Sequence, residues 1–405
     1  MKKNKWDKSI NLLKRRDFLK SLAALAVFGG SRRLWTVDRI NHSSEFKKPP
    51  QMEASSKSLL SSVHERPIVV QVKDLRSTYW DGSSYPYVDY INQKMVDQML
   101  ESGLRALTGE KTAIAAWKAI VPYKTGEKIA IKPNLNDLFK EFQYYVVAPQ
   151  VINAVIKGLI ESLRVPPKNI IVYDVSRLIP DTFRKRIFYD VTYVEPFGSN
   201  LQRKIKYHLF GNSLAVADPN APVTLRDSIR NKKGQAVKCF LPKCLTICNH
   251  LINIPLFKSH QFVLASGSLK NHYGTIRFSD GNLNPEYLHP PIIHECIADL
   301  NAHPFIKSHT RLIVMDALFG RVYQKHGPPD LRMNSLFVSR DPVALDSVSS
   351  SLIRKQLMLR GVEPFSDRYL DLSTEAKIGI HERVEDGNVY KRINFQNIDL
   401  DIRNI

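Results

Sequence analysis

LINIPLFKSHQFVLASGSLKNHYGTI, residues Leu251 to Ile276, joins an apolar run, a polar cluster and a string of small residues in one stretch. Its first six residues are almost continuously apolar, the pattern of a parallel strand covered on both faces. Lys258, Ser259 and His260 follow at once, so they are expected at the carboxyl end of that strand, where open α/β sheets bind ligands. Ala265-Ser266-Gly267-Ser268 then permits close backbone approach, and Lys270, Asn271 and His272 come next, with Gly274 closing the segment.

The flanking sequence supplies the rest of an α/β pattern. Lys128 to Lys132 reads as a strand, and Pro133, unsuited to a central ladder, ends it in Ile131-Lys132-Pro133-Asn134. Val151, Val155, Leu159 and Leu163 recur every four positions, which predicts an amphipathic helix stopped by Pro166-Pro167. Asn169 to Tyr173 is the next strand, with Asp174-Val175-Ser176 at its end. Strand, helix, strand in this order favours a parallel sheet with right-handed crossovers. Upstream lie a strand from Pro67 to Val72 and a helix from Ile91 to about Leu107, with Met95, Met99 and Leu104 on one face. Downstream come a helix carrying Ile293, Ile297 and Leu300, a strand from Arg311 to Met315 that delivers Asp316, and a strand from Ser335 to Val338. Asp341-Pro342 then signals a helix start. Tyr390 to Phe395 adds an edge strand. The expected fold is α/β and three-layered, a mostly parallel sheet with helices on both faces. A β-rich insertion falls around residues 180–240, where the runs Lys206 to Phe210 and Ala236 to Leu241 alternate with turns.

Three motif groups together resemble the family called domain of unknown function 362, over roughly residues 127–380. They are Ile252-Asn253-Ile254-Pro255 with Lys258, His260 and Ser268-Leu269-Lys270-Asn271; Ile131-Lys132-Pro133-Asn134; and Ser339 to Asp346, S-R-D-P-V-A-L-D. The resemblance implies an α/β protein with Lys132 and Asn134 at a strand's carboxyl end and an acidic residue and Ser near Asp174. It assigns no single activity. The iron–sulfur segment of some relatives is absent from this sequence, so no iron–sulfur cluster is expected. The chain departs from the pattern at Leu256, where relatives often carry Lys, and at Ala317, where they often carry Gly.

At 405 residues and 43% hydrophobic, the chain can bury a large core, here a single domain over residues 65–405. Net charge is +20, but residues 1–50 hold 13 Lys+Arg against 4 Asp+Glu, a surplus of +9, which leaves +11 for the other 355. That remainder favours a small anionic ligand or an anionic surface. No finger, RNP or helix-turn-helix pattern occurs and aromatics do not interleave with basic residues, which argues against nucleic acid; no G-x-G-x-x-G or Walker loop occurs either. Arg15-Arg16-Asp17-Phe18-Leu19-Lys20, followed by the apolar run Leu22 to Phe28, resembles a twin-arginine signal. Its apolar core is about half the ~20 residues a spanning helix needs. The resemblance implies export across the cytoplasmic membrane by the twin-arginine machinery. Gly29 to Arg33 shows no clear small-x-small cleavage site, which leaves open an uncleaved N-terminal membrane tether over residues 1–33. Residues 34–64, polar and containing Pro49-Pro50, read as a linker.

Cys239, Cys244 and Cys248 beside His250 depart from zinc and ferredoxin spacings. They and Cys296 read first as free or buried thiols, with a Cys239–Cys244 disulfide as the alternative that export permits. The expected site uses His260 and Lys258 as catalytic groups and Lys132, Asn134, Lys270, Asn271 and Ser268 as substrate-binding groups. Asp174, Asp316 and Asp341, each at a predicted strand end, would orient the ammonium groups or hold a hard divalent cation; for Asp341 a helix cap is the competing reading. The leading function is an enzyme holding a carboxylate or phosphate, with His260 transferring a proton. The alternative is a non-catalytic binding or accessory protein of a redox or cofactor pathway.

Overall fold

The computed structural model describes residues 66–401 except 139–141, 197–213, 324–325 and 385–388. The twin-arginine-type segment, the linker and the Lys206 to Phe210 run lie outside the described residues, which all belong to one compact unit, His64–Ile405. In chain order the strands are β1 (Ile68–Lys73), β2 (Ile129–Pro133), β3 (Ile170–Tyr173), β4 (Thr192–Val194), β5 (Ala217–Val223), β6 (Ile229–Arg230), β7 (Ala236–Val237), β8 (Cys239–Pro242), β9 (His250–Ile254), β10 (Leu256–Lys258), β11 (Arg277–Phe278), β12 (Thr310–Arg321), β13 (Leu331–Ser339) and β14 (Asn394–Asp399). The main helices are α1 (Gln93–Thr108), α2 (Ala113–Ile120), α3 (Pro149–Leu163), α4 (Ile293–Asn301), α5 (Pro342–Leu359) and α6 (Arg368–Glu375).

Nine strands form the middle layer in the order β14-β1-β13-β12-β9-β2-β3-β4, with β10 also paired to β12. Every pairing is parallel except the two made by β13, so β13 alone runs against the rest. Alternate residues of each strand enter different cores, because successive side chains point to opposite faces. Ile129, Ile131, Ile170, Val172, Leu312 and Val314 pack with residues of α1, α2 and α3. Ala130, Ile171 and Tyr173 pack with residues of α4 and α6 on the other face, and Ile313, Met315 and Phe337 with residues of α5. Burial on both faces explains the unbroken apolar runs, and each fully buried Val, Leu or Ile contributes about 1.5–3 kcal/mol relative to exposure. The fold is therefore three-layered α/β, and the β-rich insertion holds the β6–β7 hairpin and supplies β5, which with β8 and with β11 from after the 251–276 segment makes a separate three-stranded sheet, β11-β8-β5.

Four expectations need correction. Thr192–Val194 joins the main sheet beside β3, so the insertion begins after it. Pro133 stays in register opposite Ile254, at the last position of β2, where a missing N–H costs least. Asp316 lies inside β12, since that strand runs on to Arg321. Asp341 lies at the sheet edge opposite the other strand ends: antiparallel β13 places Ser339 beside Ile313 of β12 and Val69 of β1. The tail does supply an edge strand, β14, paired with β1, but it spans Asn394–Asp399 and so begins near the end of the expected Tyr390 to Phe395 run.

Pro255 separates β9 from β10 and opens the sheet. β9 pairs with both β2 and β12, whereas β10 pairs with β12 alone. Asp316 N donates to Pro255 O at 2.9 Å and holds the chain on the β12 side. The carboxyl ends of β2 and β10 thereby diverge, and a crevice forms where parallel sheets commonly bind ligands.

Candidate functional site

That crevice is a cavity of about 450 Å³. β2 delivers Lys132, the turn after β3 delivers Asp174 and Arg177, and β10 delivers Lys258; all three strands are parallel, so these groups arrive at one edge. The Lys132 ammonium lies 2.8 Å from Asp174 Oδ2 and 2.9 Å from Pro133 O, with Lys132 only 1% exposed. Asp174 Oδ1 accepts from Ser176 N, Ser176 Oγ and Arg177 N at 2.8–2.9 Å. Gly274 is required beside this pair, because a Cβ there would lie 2.6 Å from Asp174 Oδ2 and 2.8 Å from Lys132 Nζ.

Lys258 pairs with Asp137, a residue of the loop after β2, at 2.7 Å. The other oxygen of Asp137 accepts from His326 Nδ1 at 2.6 Å. His260 lies at the same wall; its Nδ1 accepts from Phe262 N at 3.2 Å, and its ring stacks at 5.9 Å on His289. The Lys270 ammonium sits 4.5 Å from the centre of the Tyr273 ring, within cation–π range. Burial drives the Tyr273 hydroxyl well above its ordinary value, and it donates to Leu288 O and Ile293 O, so it serves as a fixed wall rather than an acid. Asn271 Nδ2 donates to Lys132 O at 2.9 Å and to Asn253 Oδ1 at 2.7 Å, tying the turn to β2 and β9. Asn134 also lines the cavity and accepts from Asn136 N.

Of the sequence-predicted groups, the cavity collects Lys132, Asn134, Asp174, Lys258, His260, Lys270 and Asn271. It does not collect Ser268, Asp316 or Asp341. Ser268 is fully buried, and its N and Oγ both donate to Asp346 Oδ1, at 2.6 and 2.8 Å. Leu269 N reaches Asp346 Oδ2 at 3.0 Å, so the helical turn Ser268–Asn271 is docked onto α5. Asp316 accepts from Ala148 N at 2.8 Å and Leu318 N at 3.1 Å, and so anchors the start of α3. Asp341 caps α5 through Val343 N and Ala344 N and also holds Ile380 N. Burial raises Asp316, Asp341 and Asp346 each to about 6, against the pull of the N–H donors. The three aspartates expected to share a cation therefore do not converge, and among the described residues no group of three His, Cys, Asp or Glu side chains is placed to hold a metal ion. All four cysteines are buried and unpaired; burial pushes Cys239, Cys248 and Cys296 up to about 12.

Sequence reasoning missed Asp137, Arg177, His289 and His326 as wall residues. Asp137 and Arg177 each sit three residues beyond a named group, Asn134 and Asp174, on the turn that must follow a strand end, and extending each motif by one turn would have found them. His326 carries no local signal, since only tertiary folding brings it to Asp137. With its lining residues known, the cavity holds four permanent cations (Lys132, Arg177, Lys258, Lys270) against two carboxylates (Asp137, Asp174).

Residues 129–351, more than half of the chain, match the family described as Domain of unknown function (DUF362). The chain belongs to that family. A comparison with curated proteins finds no match.

Proposed function

We propose that this is an exported α/β enzyme that binds a small anionic substrate, a carboxylate or a phosphate, in the cavity between β2 and β10. Arg177 carries the reading. Its guanidinium lines the cavity and among the described residues donates only to neutral oxygens, Asn136 O, Asn136 Oδ1 and Ser176 O. Among the described residues it has no carboxylate partner, whereas the charges of Lys132 and Lys258 are matched by Asp174 and Asp137. Among the described residues one N–H on each terminal nitrogen is left without an acceptor, and carboxylates and phosphates accept such paired N–H groups in bidentate fashion. Lys270 adds a second half-buried cation to the same cavity, and the imidazoles of His260, His289 and His326 supply groups able to accept and return a proton. Export rests on the resemblance of Arg15 to Lys20 to a twin-arginine signal.

Isothermal titration of the purified chain with inorganic phosphate, sulfate, citrate and short 2-oxo and 2-hydroxy carboxylates tests the proposal. At least one is expected to bind, and Arg177→Met is expected to weaken it by about ten- to hundredfold, the worth of a charge-assisted hydrogen bond. Failure of every anion to bind, or equal binding by Arg177→Met, overturns the reading. Binding without any turnover by the intact chain assigns the protein to a non-catalytic accessory role instead.

A further inference from the structure

We propose that His326 is the proton-accepting residue of this cavity, its tautomer fixed from behind by Asp137 and Lys258. The inference rests on the anion-binding reading for its substrate and on separate geometry for its chemistry. Asp137 is 1% exposed and stands between two donors, the Lys258 ammonium at 2.7 Å and His326 Nδ1 at 2.6 Å. An ionised carboxylate only accepts, so Nδ1 carries hydrogen and the lone pair of neutral His326 resides on Nε2. The His326 side chain is 41% exposed and lines the cavity, so one end of the ring is held by buried Asp137 while the side chain remains open to the cavity.

The other two imidazoles differ in ways that matter. His260 Nδ1 accepts from Phe262 N, which places the hydrogen of neutral His260 on Nε2 and makes that nitrogen a donor. His289 Nδ1 donates to Pro285 O at 3.0 Å, so it too has a basic Nε2, but a neutral carbonyl stabilises an imidazolium less than a carboxylate does. His326 has a buried carboxylate, Asp137, 2.6 Å behind it. Charged groups around it among the described residues include Asp137, Lys258 through Asp137, and Arg321, whose Nη2 donates to His326 O at 2.7 Å and whose charge is offset by Asp330 at 3.8 Å.

The step balances without a further reactant. The Nε2 lone pair forms an N–H bond to a hydrogen of the bound anion, and the electron pair of the broken bond stays on the substrate atom. The imidazolium so formed faces Asp137, whose other oxygen accepts from Lys258. Return of the Nε2 proton to the substrate or to a leaving group restores the neutral ring. Asp137 and Lys258 act through His326 and are positioning residues.

Nitrogen-15 NMR of histidine-labelled full-length protein, with His326 assigned by its loss in His326→Gln, reads the tautomer directly. Neutral His326 is expected as the Nδ1–H form; an Nε2–H form overturns the proposal. The double variant Asp137→Leu/Lys258→Met removes both charges together and leaves neither buried alone. In it the Nε2–H form is expected to return and labelling of His326 by diethyl pyrocarbonate, mapped by mass spectrometry, to fall on the order of tenfold; an unchanged tautomer and rate overturn the positioning role. Should that variant not fold, the wild-type spectrum decides alone. Inorganic phosphate is expected to slow labelling of His326 in the wild type and not in Arg177→Met. The predicted tautomer with no protection by phosphate defeats the anion reading and spares His326, whereas protection with the wrong tautomer does the reverse.

Discussion

Replacing Lys132 with Met keeps the apolar stem and deletes the ammonium that lies 2.8 Å from Asp174 Oδ2. Both partners are sealed, at 1% and 3% exposure. The carboxylate left behind keeps its three donors on Oδ1, but among the described residues Oδ2 has no other. Breaking a buried pair from one side costs about 3–5 kcal/mol. With unfolding entropy near 2.1 cal/mol/K per residue, spread over a unit of this size, the cost is a fall of about 4–7 °C in Tm. Lys258→Met is the comparison, because Asp137 retains His326 at 2.6 Å on its second oxygen; its loss is expected to be smaller. Urea denaturation and calorimetry of both variants at pH 7.5 give the two values. Wild-type stability in both refutes Asp174 and Asp137 as the compensating charges, and Lys258→Met emerging as the weaker protein refutes the support that His326 lends to Asp137.

Two further outcomes are expected. His272 is enclosed behind the cavity, and burial holds its imidazole down to about 3. Its folded pKa lies below its unfolded one, so the stability it contributes is present above about 6.5 and is lost as pH falls toward 3. Between pH 6.5 and 5 this one group costs about 2 kcal/mol, so the stability profile of His272→Asn should be flatter by that amount over the interval; parallel profiles would show that His272 titrates freely. Changing Arg15 and Arg16 together to Lys should leave the protein in the cytoplasm, as cell fractionation would show, since a twin-arginine route reads the paired guanidinium groups; unchanged export removes that route.

The strands and the helices over 93–108 and 149–163 were legible because burial on both faces leaves continuous apolar runs and one-sided packing leaves a four-residue period. The direction of β13 was not legible. Its nine residues read the same whether parallel or antiparallel, and reversing it moves Asp341 from the cavity edge to the far edge. The site was legible where a side chain leaves a strand end, as Lys132, Asp174 and Lys258 do. It was obscure where a polar residue binds its own scaffold: Ser268 looked available in sequence because its partner Asp346 is 78 residues away. Asp316 misled for a related reason, since the strand carrying it extends five residues beyond it. His326 needed the turn after β12 to meet Asp137, four residues past the end of β2, and no spacing rule records that encounter.

The clasp between Asp346 and the Ser268–Leu269 turn sets a limit on how this site could be moved or trimmed. A Cβ on Gly267 would stand 2.2 Å from Asp346 Oδ1, so the turn bearing Lys270 and Asn271 is seated directly on a helix that contributes no wall to the cavity. A chain cut after β13 would keep every wall residue, Lys132 to His326, and still lose the seat that aims two of them. The 251–276 segment is thus not a transferable cassette: grafted onto another parallel sheet, it would need a carboxylate delivered from a helix at the opposite edge before it could present its lysine.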